Sequence, residues 1–258
     1  MKILILGEII GRPGRAKIKE VLPDILKQYS PDFVIANGEH LAAGKGLTVE
    51  KMQEMEDLGI NFFTTGNHVF AHKEICPLLE DPKAPVVRPA NYPPGVPGKE
   101  YKTVVAKGQK IAVINLMGRT FFRLEFDDPF RKVDELLKEI KTNFVIVDIH
   151  AEATSEKILM GDYLDGRVSI VFGSHTHVPT CDYQILKNGT FYITDIGMLG
   201  PIDSVIGLKK EVSRERVLMQ MPARYEVAPY GPSYFHALIV DLNKEGRAIN
   251  FEKIEKIV

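Results

Sequence analysis

Five short stretches of this chain carry side chains able to bind a metal ion or move a proton. They are Gly7-Glu8, Asn37-Gly38-Glu39-His40, Gly66-Asn67-His68, Asp148-Ile149-His150 and Gly173-Ser174-His175-Thr176-His177. The last is the densest. Two histidines one residue apart can both aim their imidazoles into one small space if the backbone turns between them, and neutral imidazole is the commonest protein ligand for borderline divalent metals. A lone His-x-His pair also arises by chance in exposed loops. Here five of the seven histidines fall within these stretches, where chance would scatter them.

The donor set selects the chemistry. The carboxylates of Glu8 and Glu39, the imidazoles of His40, His68, His150, His175 and His177, and the amide oxygen of Asn67, with no thiolate, suit Mn, Fe, Zn or Co. They are too many for one ion. A carboxylate such as Glu39 can bridge two. Ions about 3.5–4 Å apart hold a hydroxide between them and clamp both the attacking and the leaving oxygen of an in-line phosphoryl displacement. Water on a single divalent ion already has a pKa of about 7, so such a hydroxide is available near neutrality.

Each stretch follows an apolar run that reads as a buried strand: Ile3 to Leu6, Phe33 to Ala36, Phe62 to Thr65, Phe144 to Val147 and Ser169 to Phe172. Between them the spacing predicts helices over 15–29, from the N-cap Thr48 through Met52, Met55 and Leu58, from the Asp128-Pro129 start to about Lys141, and over 155–163. This alternation predicts an α/β fold with a mostly parallel sheet, and in such sheets sites form where the carboxyl ends of the strands meet. The proline-punctuated segment 81–98 reads as an extended surface excursion. Residues 102–105 and 111–116 read as two further strands. Beyond the last cluster, 183–186 and 191–194 form a hairpin, 195–207 a Gly-rich loop, 209–218 a helix, and 235–242 with 248–257 a closing hairpin.

With 258 residues the chain can bury a sizeable core, and neither a repeat nor a linker divides it, so one domain spanning 1–258 is the simplest reading. Lys and Arg number 33 against 34 Asp and Glu, which excludes a global nucleic-acid footprint and makes any phosphate recognition local to a site. Cys76 and Cys181 are the only cysteines, too few for a disulfide framework or a Cys-rich zinc site. The apolar start is too short for a signal peptide, and no run approaches the about 20 apolar residues of a membrane span. A cytoplasmic, non-membrane protein is expected.

Taken together, the five stretches and Ala151-Glu152 resemble the calcineurin-like metallophosphoesterases. More narrowly, residues 42–47, 151–157, 194–198 and 201–207 resemble the YmdB-like branch, and the match spans nearly the whole chain. The resemblance implies a four-layer α/β/β/α sandwich with two mixed sheets. It implies a phosphodiesterase that acts on 2′,3′-cyclic nucleotides by opening the 2′ ester, around a di-iron or di-manganese centre, with zinc as a further option. Residue by residue, it implies that His177 and position 8 bind one metal, that Glu39 bridges, and that Asn67, His150 and His175 bind the second. His68 becomes the general acid or the phosphate-positioning group. The expected partner is a small phosphodiester or nucleotide. A link to RNA turnover rests on family analogy alone, and a homo-oligomer stays open.

Two positions depart from the branch, which has Asp where this chain has Glu8 and Asn where it has His40. Glu is longer by one C–C bond, about 1.5 Å, and both changes fall on the same metal. Either His40 supplies a nitrogen that compensates, or that metal binds weakly and the protein acts as a regulatory or RNA-associated binder. Among other candidates, Gly7, Gly11 and Gly14 do not make the GxGxxG spacing of a dinucleotide loop. Lys45 and Arg12 read either as phosphate contacts or as solvated loop charges. His72 and His236 read as ordinary histidines, and Asp195 and Asp203 as turn-stabilising groups rather than ligands.

Overall fold

In strand β1 (Lys2–Leu6), Ile3 and Ile5 pack into one apolar cluster while Leu4 and Leu6 pack into another. Side chains on a strand alternate faces, so a run apolar at every position must lie between two cores. The computed structural model describes residues 1–258. After β1 come β2 (Glu8–Ile9), α1 (Gly11–Tyr29), β3 (Phe33–Asn37), α2 (Val49–Glu56), β4 (Phe62–Thr64) and α3 (Cys76–Glu80). The middle holds β5 (Tyr101–Ala106), β6 (Gln109–Met117), α4 (Pro129–Glu139), β7 (Phe144–His150), α5 (Thr154–Leu164) and β8 (Ile170–Ser174). The last part holds β9 (Gln184–Ile185), β10 (Phe191–Ile193), β11 (Met198–Pro201), α6 (Lys210–Met219), β12 (Ser233–Leu242) and β13 (Ala248–Ile257).

Two mixed sheets result. The first runs β2-β11-β12-β1-β3-β4, with β13 added on β12, and the second runs β5-β6-β7-β8-β10-β9. The strands β1, β3 and β4 are parallel, as are β6, β7, β8 and β10, and of these β1, β3, β4, β7 and β8 carry the polar clusters at their ends. Ile3, Phe33 and Phe62 of the first sheet meet Ile111, Ile146 and Phe172 of the second in a shared core. Leu4, Val34 and Phe63 turn outward onto α1 and α2, while Val145 and Val171 turn onto α4 and α5. Three stacked cores make four layers. Each fully buried side chain of this size contributes about 1.5–3 kcal/mol. No helix is long and apolar enough to cross a membrane.

Local signals set several boundaries. Thr48 accepts the Lys51 amide at the start of α2, and Asp128 accepts those of Phe130 and Arg131 at the start of α4. Helix α1 begins at Gly11, four residues before the expected start, because Pro13 sits in its first turn, where no amide partner is needed. Helix α2 ends at Glu56, which leaves Leu58 partly buried in the turn beyond it.

The segment expected as a surface excursion is extended but largely interior. Val86, Val87, Arg88, Ala90 and Asn91 are buried, and the segment passes from β4 to β6 through Val87 N–H to Phe63 O and Ala90 N–H to Asn115 O. Prolines remove donors but not acceptors. Pro85 O accepts the Phe63 amide, and the Arg88 guanidinium donates to the carbonyls of Pro89 and Pro97. The expected Gly-rich loop 195–207 likewise contains β11, which lies between β2 and β12.

Candidate metal centre

The loops after β1, β3, β4, β7 and β8 converge where the two sheets meet. Glu8 follows Gly7, where an added Cβ would lie 2.5 Å from the Gly197 carbonyl oxygen, so only glycine lets the chain pass. After β3, the buried Asn37 shapes the turn. Its Oδ1 accepts the Glu39 amide, and its Nδ2 donates to the Thr65 carbonyl and to Asp148. At Gly66 a Cβ would fall 2.4 Å from His150 Nε2, so the His150 ring packs directly on backbone.

The His175-Thr176-His177 turn has an unusual backbone. His175 has φ 93° and His177 φ 64°, left-handed values that non-glycine residues adopt only when held there. The hold is visible. Asp195, fully buried, accepts the Thr176 amide at 3.2 Å and its hydroxyl at 2.6 Å, and pairs with the buried Lys157 ammonium at 2.7 Å. The His175 amide donates to Glu8 Oε1. With the turn fixed in this way, the two imidazoles serve different neighbours.

His177 Nε2 lies 3.1 Å from Glu8 Oε2, and His40 Nε2 lies 3.5 Å from the same oxygen. The ligand atoms of these three residues are all within 4.8 Å of one another, a possible metal site. His175 Nδ1 and Asn67 Oδ1 lie 3.1 Å and 3.2 Å from His150 Nε2 and form a second group. Glu39 Oε1 is 3.9 Å from the same nitrogen and accepts the His68 amide. The His68 ring lies beside the Asn67 amide and 5.6 Å, centre to centre, from the ring of His40. All eight residues picked from the sequence thus stand together. Asp148 does not face them; it accepts from Thr64, Asn37 and Ser174 behind His150.

These residues fit divalent cations. Glu8 Oε2 and Glu39 Oε2 are buried with no aligned hydrogen-bond donor, despite the proximity of His177 to the former. Each of four imidazoles spends its outer nitrogen on an acceptor: His40 Nδ1 on Gly44 O, His177 Nδ1 on Ile206 O, His150 Nδ1 on Ser174 Oγ, and His175 Nε2 on Glu152. Such outer bonds fix the tautomer and leave the inner nitrogen as a lone pair. With the outer nitrogens as donors, the neutral rings of His150 and His175 and the Asn67 oxygen present lone pairs to one another at 3.1–3.2 Å. A bound cation removes that repulsion.

The electrostatics agree. Burial and the charges of Glu8 and Asp148 push Glu39 well above the usual carboxylate range. Burial acts the same way on Glu8, yet His177, His150 and His40 outweigh it and hold Glu8 well below that range. Burial pushes His40 down to about 3, His68 down to about 4, and lowers His150 and His175, while it raises Asp148 to about 7. Glu8 overcomes burial at His177 and raises it.

A pH dependence follows for chelator-treated protein. Below about pH 6.5 the unfolded chain protonates its histidines, whereas His40, His68, His150 and His175 resist in the fold. Glu39 and Asp148 do the opposite and take protons in the fold that unfolded carboxylates decline. His177 is charged in both states. Burial lowers His236 as well, and five groups against two leave the unfolded state with more bound protons, so stability falls between pH 6.5 and 5. The urea midpoint should therefore drop across that window, and a rise would contradict these assignments.

A cavity of about 730 Å³ opens over this floor, within the range of small-ligand sites. His40, Asn67, His68, His175 and His177 line it together with Phe121 to Leu124, Arg216 and Tyr225. Lys45 also lines it, and Arg12 lines an adjoining groove. Sequence reasoning missed the residues that support the ligands: Asn37, Ser174, Lys157 and the orienting role of Glu152. Glu152 had a signal, being a carboxylate two residues past a ligand-type histidine. Ser174 and Lys157 had none. His236 is a buried core residue, Asp195 holds the turn, and Asp203 pairs with Lys210 at the surface.

Comparison with known proteins agrees with this architecture. A family model described as "YmdB-like protein" matches residues 4–254. The 2′,3′-cyclic-nucleotide 2′-phosphodiesterase of Bacillus subtilis (strain 168) is 44% identical over 257 residues, which cover 98% of this chain and 96% of that protein. The crystal structure of a hypothetical protein from Thermus thermophilus superposes with a TM-score of 0.92 at 42% identity, covering 100% of this chain and 99% of that one. That of a novel phosphatase from Mycoplasma pneumoniae gives 0.93 at 31% identity, covering 100% and 93%. Matched from end to end in both sequence and fold, the chain belongs to the YmdB-like family of metallophosphoesterases.

Proposed function

We propose that the protein is a metal-dependent phosphodiesterase that opens the 2′ ester of 2′,3′-cyclic nucleotides, as the name of its Bacillus relative describes for that protein. One observation carries this reading: four tautomer-fixed imidazoles, one amide oxygen and two buried carboxylates with orphaned oxygens converge on two adjacent points. Glu8, His40 and His177 would hold one ion, Asn67, His150 and His175 a second, with Glu39 between them. Mn or Fe suits these donors best and Zn is compatible. When bound, two such ions supply Lewis-acid polarisation of the phosphoryl oxygens and an acidified water to attack phosphorus.

The chain's own groups do the rest. His40 fits the pair reading of the two unusual positions, because its Nε2 and that of His177 both approach the oxygen that the longer Glu8 side chain presents. His68 is placed at the cavity side of the ligands. Burial and the nearby Lys45 keep its ring neutral at pH 7, and the negative charge of a bound phosphodiester favours the second proton. As the bond from phosphorus to O2′ breaks, His68 passes that proton to O2′, and the product is the 3′-monophosphate. Ligands come from both sheets, so the whole of 1–258 acts as one catalytic unit.

The test pairs elemental analysis of protein purified without chelator with hydrolysis of 2′,3′-cyclic AMP under added Mn, Fe, Zn and Mg. Two ions per chain with metal-dependent turnover are expected. One ion or fewer, with no turnover under any metal, sinks the proposal. His68→Ala should lower kcat by about 10²–10⁴-fold, the range for a lost general acid, with metal content unchanged. Parental activity in that variant would remove His68 from the reaction.

A further inference from the structure

We propose that the site takes the 3′ end of a single-stranded oligonucleotide, whose upstream phosphates lie along a basic and aromatic wall of the cavity that the metal ligands also line. This deepens the phosphodiesterase reading and rests on it. The wall carries Lys45, Arg123 and Arg216, and the one carboxylate that lines the cavity, Glu152, is bonded to His175. Two grooves continue outward. One shares Arg123 and Arg216 with the cavity, and the other shares Tyr225 and runs to Arg12, Arg224 and Tyr230.

None of these five basic side chains is ion-paired, whereas neighbouring Arg119, Lys209 and Lys210 each have a carboxylate partner. In a chain of net charge −1 this is a local surplus. A cyclic phosphodiester carries a single negative charge, which the metal ligands' own ions would meet. Additional cations lining the same cavity match additional phosphates.

The aromatic groups point the same way. Phe121, at the lip of the cavity, is 83% exposed and has φ 68°, an outlying backbone conformation for an aromatic residue. Nothing in the fold uses its ring, and a base can stack on it. Behind it the Phe122 ring packs 4.9 Å from that of His175. Tyr225 holds Arg216 at 4.4 Å and Lys45 at 5.5 Å from its ring centre, which keeps both cations at the rim. Cations alternating with stacking faces are how proteins hold single strands without reading their sequence.

The experiment compares kcat/KM of the metal-loaded enzyme on 2′,3′-cyclic AMP, its 5′-phosphorylated form, and a pentaadenylate ending in a 2′,3′-cyclic phosphate. The pentaadenylate should exceed 2′,3′-cyclic AMP by about tenfold or more at low salt. With three phosphate contacts at about 0.7 each on a single strand, the advantage should fall with a log–log salt slope near −2. In Arg123→Ala/Arg216→Ala the ratio should collapse towards one, and Phe121→Ala should raise KM for the pentaadenylate. Equal kcat/KM on the cyclic mononucleotide and the pentaadenylate overturns the proposal and leaves the phosphodiesterase reading intact. So does a full gain from the 5′-phosphate alone. If no substrate turns over, the phosphodiesterase reading has failed, and binding of fluorescein-labelled pentaadenylate still decides. Weaker binding in the double variant supports the wall, and unchanged binding overturns it.

Discussion

Lys157→Met is expected to lower unfolding stability by about 3–5 kcal/mol, the cost of leaving one member of a buried ion pair without its partner. Lys157 is 1% exposed and Asp195 is fully buried, so water cannot replace the missing ammonium. The second consequence is local. Asp195 holds Thr176 by amide and hydroxyl, and Thr176 lies between two histidines in left-handed conformations. A carboxylate that has lost its partner protonates or shifts, and the turn relaxes towards ordinary dihedrals. Metal content should therefore fall along with stability. Urea unfolding and elemental analysis of the same preparation read both effects. Adding Asp195→Asn should recover part of the stability, because no unpaired charge remains, but not the metal. A loss within about 1 kcal/mol, the size of an average substitution, would show that the pair does not hold the turn.

Glu39→Gln should move activity and stability in opposite directions. The Glu39 carboxylate is buried, sits near the charges of Glu8 and Asp148, and has one oxygen without a donor. Neutralising it removes the group that joins the two ligand sets. Lewis acidity worth several kcal/mol, with each 1.36 kcal/mol a factor of about ten in rate, translates into a loss of about 10³-fold or more in kcat. In chelated protein burial makes Glu39 take up a proton that it does not hold when unfolded, and Gln avoids that cost, so the unfolding free energy should rise by about 1–3 kcal/mol and the melting temperature with it. Wild-type turnover in Glu39→Gln would exclude it from the centre. A fall in melting temperature of the chelated variant would mean that the carboxylate is satisfied after all.

The strand ends were legible because burial on both faces leaves an unmistakable run of apolar residues. Ile3 to Leu6 and Phe33 to Ala36 each stop at a polar cluster, and the structure puts those clusters together. The short strands were not legible. Glu8–Ile9 and Met198–Pro201 pair with each other over two residues, and at that length no periodicity exists to read. The prolines of 81–98 signalled extension correctly but hid burial, because composition does not reveal that proline carbonyls find donors in Phe63 and Arg88. Helix α6 was found from its spacing even though none of its residues is buried. The exclusion of Asp148 from the ligands was beyond reach, since it shares a face of β7 with His150 and differs only in lying two residues deeper, where Thr64, Asn37 and Ser174 engage it.

The amide of His175 reaches Glu8 across 167 residues of sequence, and that separation orders the life of the chain. Glu8, Glu39 and His40 leave the ribosome early, while His150, His175 and His177 are made much later. Pairings so distant in sequence form late in folding. A nascent or truncated chain that ends before His175 therefore lacks one imidazole from each of the two ligand groups. Under the proposed assignment, metal uptake doubles as a certificate of completed synthesis.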